Sequence, residues 1–425
     1  MTTHPQHAVT SSPAGAVPLT RRHLLASVGL AAGAGLLGVG ARPAAAAVDP
    51  ARTASASTHP GLLHTAADLA RARDQVAAGT QPWLAGWDRL VANGRSRADW
   101  QPRPLETVVR GGDGQNYAQL YPDIHAAYQN ALRWHVSGDE AHGAAAARIL
   151  NAWSSTLTTV TGNADRFLAA GIYGYQFANA AELVRGRGDF DQGALVAMLE
   201  TAFLPLNEDF LTNHNNAVIT NYWANWDLCT MASILAIGIL ADRADLVDRA
   251  VDYFQEGAGN GSLAHATPFV YADEGLAQWQ ESGRDQGHTV MGIGLMGAFC
   301  EMAWNQGIDC YGADDNRFLK GAEYVAKYNL GHDVPFTAYT WQSGPNTTAP
   351  HVGWQIQTEI SAASRGQVRP VWELVLGHYS GRREIDAPWV RQMAESVRAE
   401  GGGGDYGTAS GGYDQLGFGT LLHYR

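Results

Sequence analysis

Lysine is almost absent from this 425-residue chain, which carries Lys320 and Lys327 and otherwise relies on arginine for strong base. Cysteine is scarce too. Cys229, Cys300 and Cys310 allow at most one intramolecular disulfide, and Cys229 and Cys300 fall in apolar helical runs where buried free thiols are the ordinary state. There is no paired Cys-x-x-Cys and no His-Glu-x-x-His, so the spacing of a zinc site is missing and neither a metal nor another cofactor is expected. No segment has the unbroken apolar length that spanning a bilayer requires. Positive charge is also in deficit: the formal net charge is -12, which argues against a general nucleic-acid binder. It does not exclude an acidic ligand, because one arginine in a local site can hold a carboxylate inside a negatively charged protein.

The N-terminus is set aside before any fold is read. Thr20-Arg21-Arg22-His23-Leu24-Leu25 leads into an Ala/Gly/Leu stretch ending at Ala44-Ala45-Ala46-Ala47, the pattern of a twin-arginine export signal with small-residue cleavage. The expected organisation is a removed signal over 1–47 and a single domain over 48–425, secreted, periplasmic or cell-surface, soluble and monomeric. Losing Arg21, Arg22 and Arg42 with no acid takes the formal charge from -12 to -15.

The mature chain reads as amphipathic helices almost throughout. Apolar spacing predicts helices over 66–78 with Thr65 as cap, from Pro82 onward, and over 123–136, 140–157, 167–185, 193–211, 221–241, 246–257, 288–305, 316–328 and 355–365. They come in pairs joined by turns such as Ser137-Gly138-Asp139 and Gly186-Arg187-Gly188-Asp189, the pattern of stacked helical hairpins. Roughly 380 residues with no linker exceeds the ~250 to 300 at which single cores stop growing. An all-α ring of hairpins around a central cleft resolves this. The glycine-rich end, 401–419, holds Tyr406, Tyr413 and Phe418 and is too aromatic for a disordered tail, so it is read as an ordered loop region at the cleft mouth.

Two polar clusters open apolar helical runs. Gln280-Glu281-Ser282-Gly283-Arg284-Asp285-Gln286-Gly287-His288 precedes the run over 289–304, and Asn221-Tyr222-Trp223-Ala224-Asn225-Trp226-Asp227 precedes the run over 228–240. Packing needs neither cluster, so the two are expected to share a cleft. Tryptophans beside amides suit a sugar groove, where ring faces stack on pyranose faces and hydroxyls find partners. The same residues have plainer readings: an ion-pair network at a helix start for Arg284, Asp285 and Glu281, a core role for Trp223, Trp226 and Trp279, and a helix-terminus turn for His214-Asn215-Asn216. Arg110-Gly111-Gly112-Asp113-Gly114-Gln115-Asn116 lacks the strand-to-helix setting of a phosphate loop, although Asn116 could reach sugar. The sequon Asn346-Thr347-Thr348 is read as incidental.

Several segments in order carry a resemblance: Asn130-Ala131-Leu132-Arg133-Trp134, Ile149-Leu150-Asn151-Ala152-Trp153-Ser154, Phe177-Ala178-Asn179-Ala180-Ala181-Glu182, the run from Glu281 to His288, and Ala303-Trp304-Asn305-Gln306-Gly307. Together they resemble the alginate-lyase superfamily of polysaccharide lyases, in particular the branch called polysaccharide lyase family thirty-eight, which includes alginate and glucuronan lyases. The likeness runs from His59 to the C-terminus. It implies an (α/α) toroid, an incomplete barrel of helical hairpins, and β-elimination on a polyuronate, an acidic polysaccharide.

That chemistry makes definite demands. The C5 proton of a uronate is barely acidic while the neighbouring carboxylate keeps its charge, so the site must neutralise the carboxylate, take the proton and protonate the departing O4. Arg284, Asn225, Asn221 and Gln286 are the candidate neutralisers. An imidazole, ordinarily titrating at ~6.5, suits the base, and a tyrosine suits the acid, or both roles where proton and O4 leave from one side. The resemblance implies an Asn, His, Tyr and Arg set, but the superfamily's Asn-Asn-His-x-x-Trp segment corresponds to Asn221 through Trp226, where no histidine stands. His288 and His214 are the replacements, and Tyr222 is the preferred tyrosine over Tyr271 and Tyr175. The expected catalytic set is therefore His288, Tyr222, Arg284 and Asn225. The expected sugar-binding set is Asn221, Trp223, Trp226, Trp279, Gln280, Glu281, Gln286, His214, Tyr271 and Asn116. Arg284→Ala is expected to lose activity in a folded protein.

Two other classes fit parts of the sequence. A glycoside hydrolase on the same scaffold would use two of Asp273, Glu274, Glu281 and Asp285 across the scissile bond. A non-catalytic glycan-binding surface protein would retain a polyuronate without turning it over.

Overall fold

The computed structural model describes residues 57–345 and 352–425. The export segment and the Asn346-Thr347-Thr348 sequon lie outside the described residues.

A capping box opens the first helix: the Thr65 hydroxyl accepts from the Asp68 N–H while the Asp68 carboxylate accepts from the Thr65 N–H, and α1 (Ala66–Ala77) follows. Then come α2 (Trp83–Ala92), β1 (Thr107–Arg110), α3 (Leu120–Ser137) and α4 (Glu140–Ser154). Gly138, left-handed at φ 74°, ends α3, and the Asp139 carboxylate caps α4. β2 (Thr159–Gly162) pairs in parallel with β1, and α5 (Asp165–Glu182) and α6 (Gln192–Met198) lead through a π-helical turn, Leu199–Phe203, into α7 (Leu204–Asn213). α8 (Ala224–Leu240), α9 (Ala244–Glu256) and the short α10 (Leu263–Ala266) precede an antiparallel pair, β3 (Phe269–Tyr271) with β4 (Leu276–Gln278). The long α11 (Gln286–Asn305) and α12 (Ala313–Asn329) follow. A hairpin of β5 (Tyr339–Ser343) and β6 (Gly353–Gln357), then α13 (Trp372–Leu376), α14 (Pro388–Val397) and α15 (Gly419–Leu422), complete the order.

Two kinds of helix alternate. Every residue of α8 is buried, and α5 and α11 are buried over nearly their whole length. A helix that is apolar all round has to be enclosed. By contrast α9 buries one face, Leu246, Val247, Ala250, Val251, Tyr253 and Phe254, and leaves Asp245, Asp252 and Glu256 in solvent. The enclosed helices contact one another in the sequence α3, α5, α8, α11, and each packs against an outer partner, α4, α7, α9 and α12 respectively. This is the (α/α) toroid.

Close approaches fix its inner wall. A Cβ on Gly292 of α11 would sit 2.6 Å from Cζ2 and 2.8 Å from Nε1 of the fully buried Trp279, whose rigid indole cannot give way. Gly292→Ala is therefore expected to destabilise the protein by about 1–2 kcal/mol, overpacking outweighing the ~1 kcal/mol gained in helix propensity. A melting temperature at or above that of the wild type would contradict this.

Three sequence expectations change. The segment read as a helix over 355–365 is instead strand β6 and irregular chain, because Trp354, Ile356 and their neighbours alternate with period two against Thr340 and Gln342. The β1–β2 pair was not read at all, being four residues on each side. The glycine-rich end is ordered but reaches inside the ring. His125 Nε2 and Gln176 Nε2 lie 3.0 and 2.8 Å from Tyr413 O, the Tyr175 hydroxyl donates to Asp414 O, and Gln415 Nε2 donates to Met291 O. Residues of α3, α5 and α11 thus grip it from within. Cys229, Cys300 and Cys310 are all buried, and among the described residues no helix is long and apolar enough to cross a membrane.

Candidate active site

The two polar clusters meet because one completes the other. Trp223, at the N-cap of α8, offers no capping side chain, so the first N–H groups of a fully buried helix need acceptors from elsewhere. Gln280 and Glu281 supply them. Gln280 Oε1 accepts from Ala224 N at 3.1 Å, and Glu281 Oε2 accepts from Asn225 N at 3.2 Å. The other Glu281 oxygen accepts from Asn225 Nδ2 at 2.7 Å and from Arg284 Nη1 at 2.9 Å. Glu281 has no exposed surface, and its charge is matched by Arg284 and by the positive end of α8.

Asp285 then starts α11. It is the N-cap, with Oδ1 accepting from His288 N at 2.8 Å and Oδ2 lying 2.8 Å from His288 Nδ1. Burial alone would raise this carboxyl, but the hydrogen bonds from the His288 ring and backbone, with the charges of His288 and Arg284, outweigh it and hold Asp285 down at about 2. Nδ1 therefore carries the proton that Asp285 accepts, which leaves Nε2 as the basic nitrogen, 3.2 Å from Arg284 Nη2. The His288 side chain is 43 % exposed, so the ring is partly open to solvent. Arg284 is not an isolated cation: Glu281 and Asp285 lie 2.9 and 3.5 Å from it, and its guanidinium sits 5.1 Å from the Trp223 ring centroid.

Trp223 in turn packs against Trp341 of β5 at 5.0 Å, so the hairpin supplies a second aromatic wall. Tyr222 turns toward other partners. Its ring lies 4.5 Å from Trp226 and 5.2 Å from Phe210, and its hydroxyl accepts from Asn215 Nδ2 at 2.8 Å. Burial, partly offset by Asn215 and Arg166, raises its pKa, so Tyr222 keeps its proton as an acid must. Asn215 reaches it because His214, Asn215 and Asn216 are all left-handed, with φ of 45°, 53° and 57°, turning the chain sharply between α7 and α8.

Several predicted sugar contacts are instead committed inside the protein. Trp279 is fully buried against α11. Gln286 donates to Ser282 O and Ser361 O and accepts from Asn329 Nδ2, so its amide is spent. His214 lies 2.9 Å from Asp227 and 3.2 Å from the Tyr253 hydroxyl, both buried. Asn116 closes the turn after β1, accepting from Val109 N and donating to Thr107 O. Asn221 accepts from Gly344 N, Tyr271 bonds Gln278 and Thr337, and Trp226 is packed on Phe210. Tyr175, the other rival tyrosine, is buried on Asp414 O. A buried amide or indole gains more from fixed backbone partners than from facing a cleft. Gln280, Glu281 and Asn225 belong to the wall that holds Arg284 and are not open to the cleft. Asp285 was given no part in the catalytic set. Its signal was the Asp-x-x-His spacing, which lets one carboxylate cap a helix and reach the ring three residues on.

A family model described as alginate lyase matches residues 64–334. Alginate lyase A1-III from Sphingomonas species A1 is similar in structure, with a TM-score of 0.53 and 13% sequence identity over 89% of this chain and 100% of that one. A histidine-to-alanine variant of A1-III complexed with tetrasaccharide gives 0.53 and 13% over 87% of this chain and 97% of that one. No curated protein matches. Likeness at this identity establishes the shared toroid.

Proposed function

The chain belongs to the alginate lyase family, and from that premise we propose that the Arg284 and His288 headpiece performs β-elimination on a polyuronate bound along the cleft. The protein is a polysaccharide lyase; the uronate it prefers and the role of each residue are the proposal. The observation that carries the role assignment is the triangle of Asp285, the His288 ring and Arg284, in which Asp285 touches Nδ1 and Arg284 lies against Nε2.

Arg284 Nη2 lies 3.2 Å from Nε2 and donates to its lone pair. A uronate carboxylate draws that N–H to itself, which steadies the charge growing on the carboxylate as C5 loses its proton and uncovers the base. Nε2 takes the C5 proton, the C–H electron pair becomes the C4=C5 double bond, and the C4–O4 bond breaks. The proposed donor to the departing O4 is Tyr222, which keeps its proton but is buried with its hydroxyl on Asn215 and must leave that partner to deliver it. With Glu281 and Asp285 beside it, Arg284 acts through directed hydrogen bonds more than through net charge, and the N-terminal ends of α8 and α11 add favourable potential for an anion.

Hydrolysis fits less well. It needs a protonated carboxyl near the glycosidic oxygen, whereas Asp285 stays ionised down to about pH 2 and Glu281 is enclosed behind Arg284. Asp273 and Glu274 sit on an exposed turn after β3, away from these contacts. Assignment to branch thirty-eight and export through the segment before Val48 are part of the same proposal, supported by the sequence motifs, and a monomeric state is proposed with them.

Two measurements test it. Incubating the protein with alginate blocks and glucuronan should produce ultraviolet-absorbing unsaturated oligosaccharides of measurable mass; a folded protein that yields none from any polyuronate ends this reading. Asp285→Asn keeps an N-cap but presents an amide to Nδ1, loosening the tautomer, and should lower kcat by roughly 10²- to 10⁴-fold with little change in KM. Because the folded pKa of Asp285 is depressed, its stabilising contribution is present above the ordinary value of 3.8 and disappears as pH falls through about 2. Loss of wild-type activity at mildly acid pH should therefore not coincide with unfolding at this site.

A further inference from the structure

Arg110 is an arginine that the fold has buried without a counter-ion. It is 9 % exposed, yet among the described residues no carboxylate lies within ion-pair distance. Among the described residues its one hydrogen bond runs from Nη1 to the Tyr173 hydroxyl at 3.3 Å, and its guanidinium faces the rings of Tyr117 and Tyr173 at 5.0 and 5.6 Å. Asp414 and Asp165 act on it from longer range, and Asp414 is itself paired with Arg369 at 3.2 Å. Arginine is almost never this buried unless paired, since desolvating it costs several kcal/mol. The contrast with Arg284, which has two carboxylates against it, is direct. The unused donors of Arg110 are not among the sealed-off orphan polar atoms, so one edge stays open.

The placement is rigid and lies against the inner wall of the ring. Arg110 ends β1 opposite Gly162, where any Cβ would strike Arg110 O, and Asn116 ties β1 from both sides. Tyr173 lies on α5. Arg110 also acts electrostatically on Cys229, one turn into α8 from Asn225. Gln415, next to Asp414, bonds Met291, one turn into α11 from His288. The cation is thus tied to the inner wall of the ring, through Tyr173 on the enclosed helix α5 and through the charge of Asp414 in the C-terminal segment that reaches inside it.

We propose that Arg110, backed by Tyr117 and Tyr173, is a second carboxylate-binding subsite of the cleft, which holds a uronate residue other than the one that loses its proton. This rests on reading the cleft as a polyuronate lyase site. The preferred substrate is then a polymer with a carboxylate on successive residues, not one in which a uronate alternates with neutral sugars. Arg110 acts in binding and not in proton transfer.

The test compares Arg110→Gln and Arg110→Lys with wild type on a homopolyuronate and on the same polymer partly methyl-esterified, following unsaturated product. Arg110→Gln should raise KM on the acidic polymer about 10- to 100-fold with kcat within about threefold, Arg110→Lys less so, and esterification should harm wild type more than Arg110→Gln. A folded Arg110→Gln enzyme with wild-type KM, or one losing kcat alone, overturns the subsite. If both variants melt early, the His288→Ala protein soaked with a uronate tetrasaccharide decides: a carboxylate on Arg110 supports the proposal, and none there overturns it. Failure of wild type itself to make unsaturated product strikes the lyase reading instead, so the two failures are distinct.

Discussion

His288→Ala should lower kcat on a polyuronate by about 10²- to 10⁴-fold, the range over which a positioned general base contributes. The ring is 43 % exposed and packs into no core, and the backbone N–H that Asp285 accepts survives the change. The ring's hydrogen bond to Asp285 is lost, so stability should fall by about 1 kcal/mol and the protein stay folded. Added imidazole is expected to restore part of the rate. Wild-type turnover in the folded variant, measured by product absorbance, would remove His288 from the mechanism, whereas early melting would assign it a structural role.

Arg284→Ala should have two effects that can be separated. Loss of a directed donor at the uronate carboxylate is expected to lower turnover about 10²- to 10³-fold. The same change strips Glu281, which has no exposed surface, of its cation. Breaking a buried pair from one side typically costs about 3–5 kcal/mol, and the two remaining donors from Asn225 place this case near ~3 kcal/mol. The sequence-based expectation that Arg284→Ala would leave the protein intact is thus revised by the geometry. Arg284→Ala combined with Glu281→Gln removes both charges and keeps an acceptor for α8, so it should recover most of the stability and none of the activity. A double variant as unstable as the single one would deny Glu281 its place as the buttress, and one that regained turnover would deny Arg284 its place as the donor.

The segments that carried the family resemblance have mostly structural duties. Asn130 donates to Arg95 O and Arg97 O, Trp153 Nε1 donates to Asp123, Asn179 accepts from Leu63 N, and Glu182 accepts from Gly61 N beside His59 and Arg185. They pin loops to the inner helices, and so report the fold more faithfully than the chemistry. Arg110 shows the converse. The sequence reading denied its motif a strand-to-helix setting, yet β1 runs into it and α3 follows it, and nothing in Arg110-Gly111-Gly112 says that the guanidinium lands between two tyrosines with no acid at hand.

Local order determined what the sequence could reveal: 3.6-residue periodicity placed nearly every helix, hairpin turns gave their pairing, and the density of polar groups ahead of α8 and α11 marked the two helix starts. Tertiary structure alone decided which of those groups face the cleft. Gln280 and Glu281 are consumed by N–H groups 56 residues away, Gln286 by carbonyls four and 75 residues away, and His214 by Asp227. A side chain's hydrogen-bonding capacity is printed in its residue type, but whether that capacity is already satisfied depends on groups brought near only when the ring of helices closes.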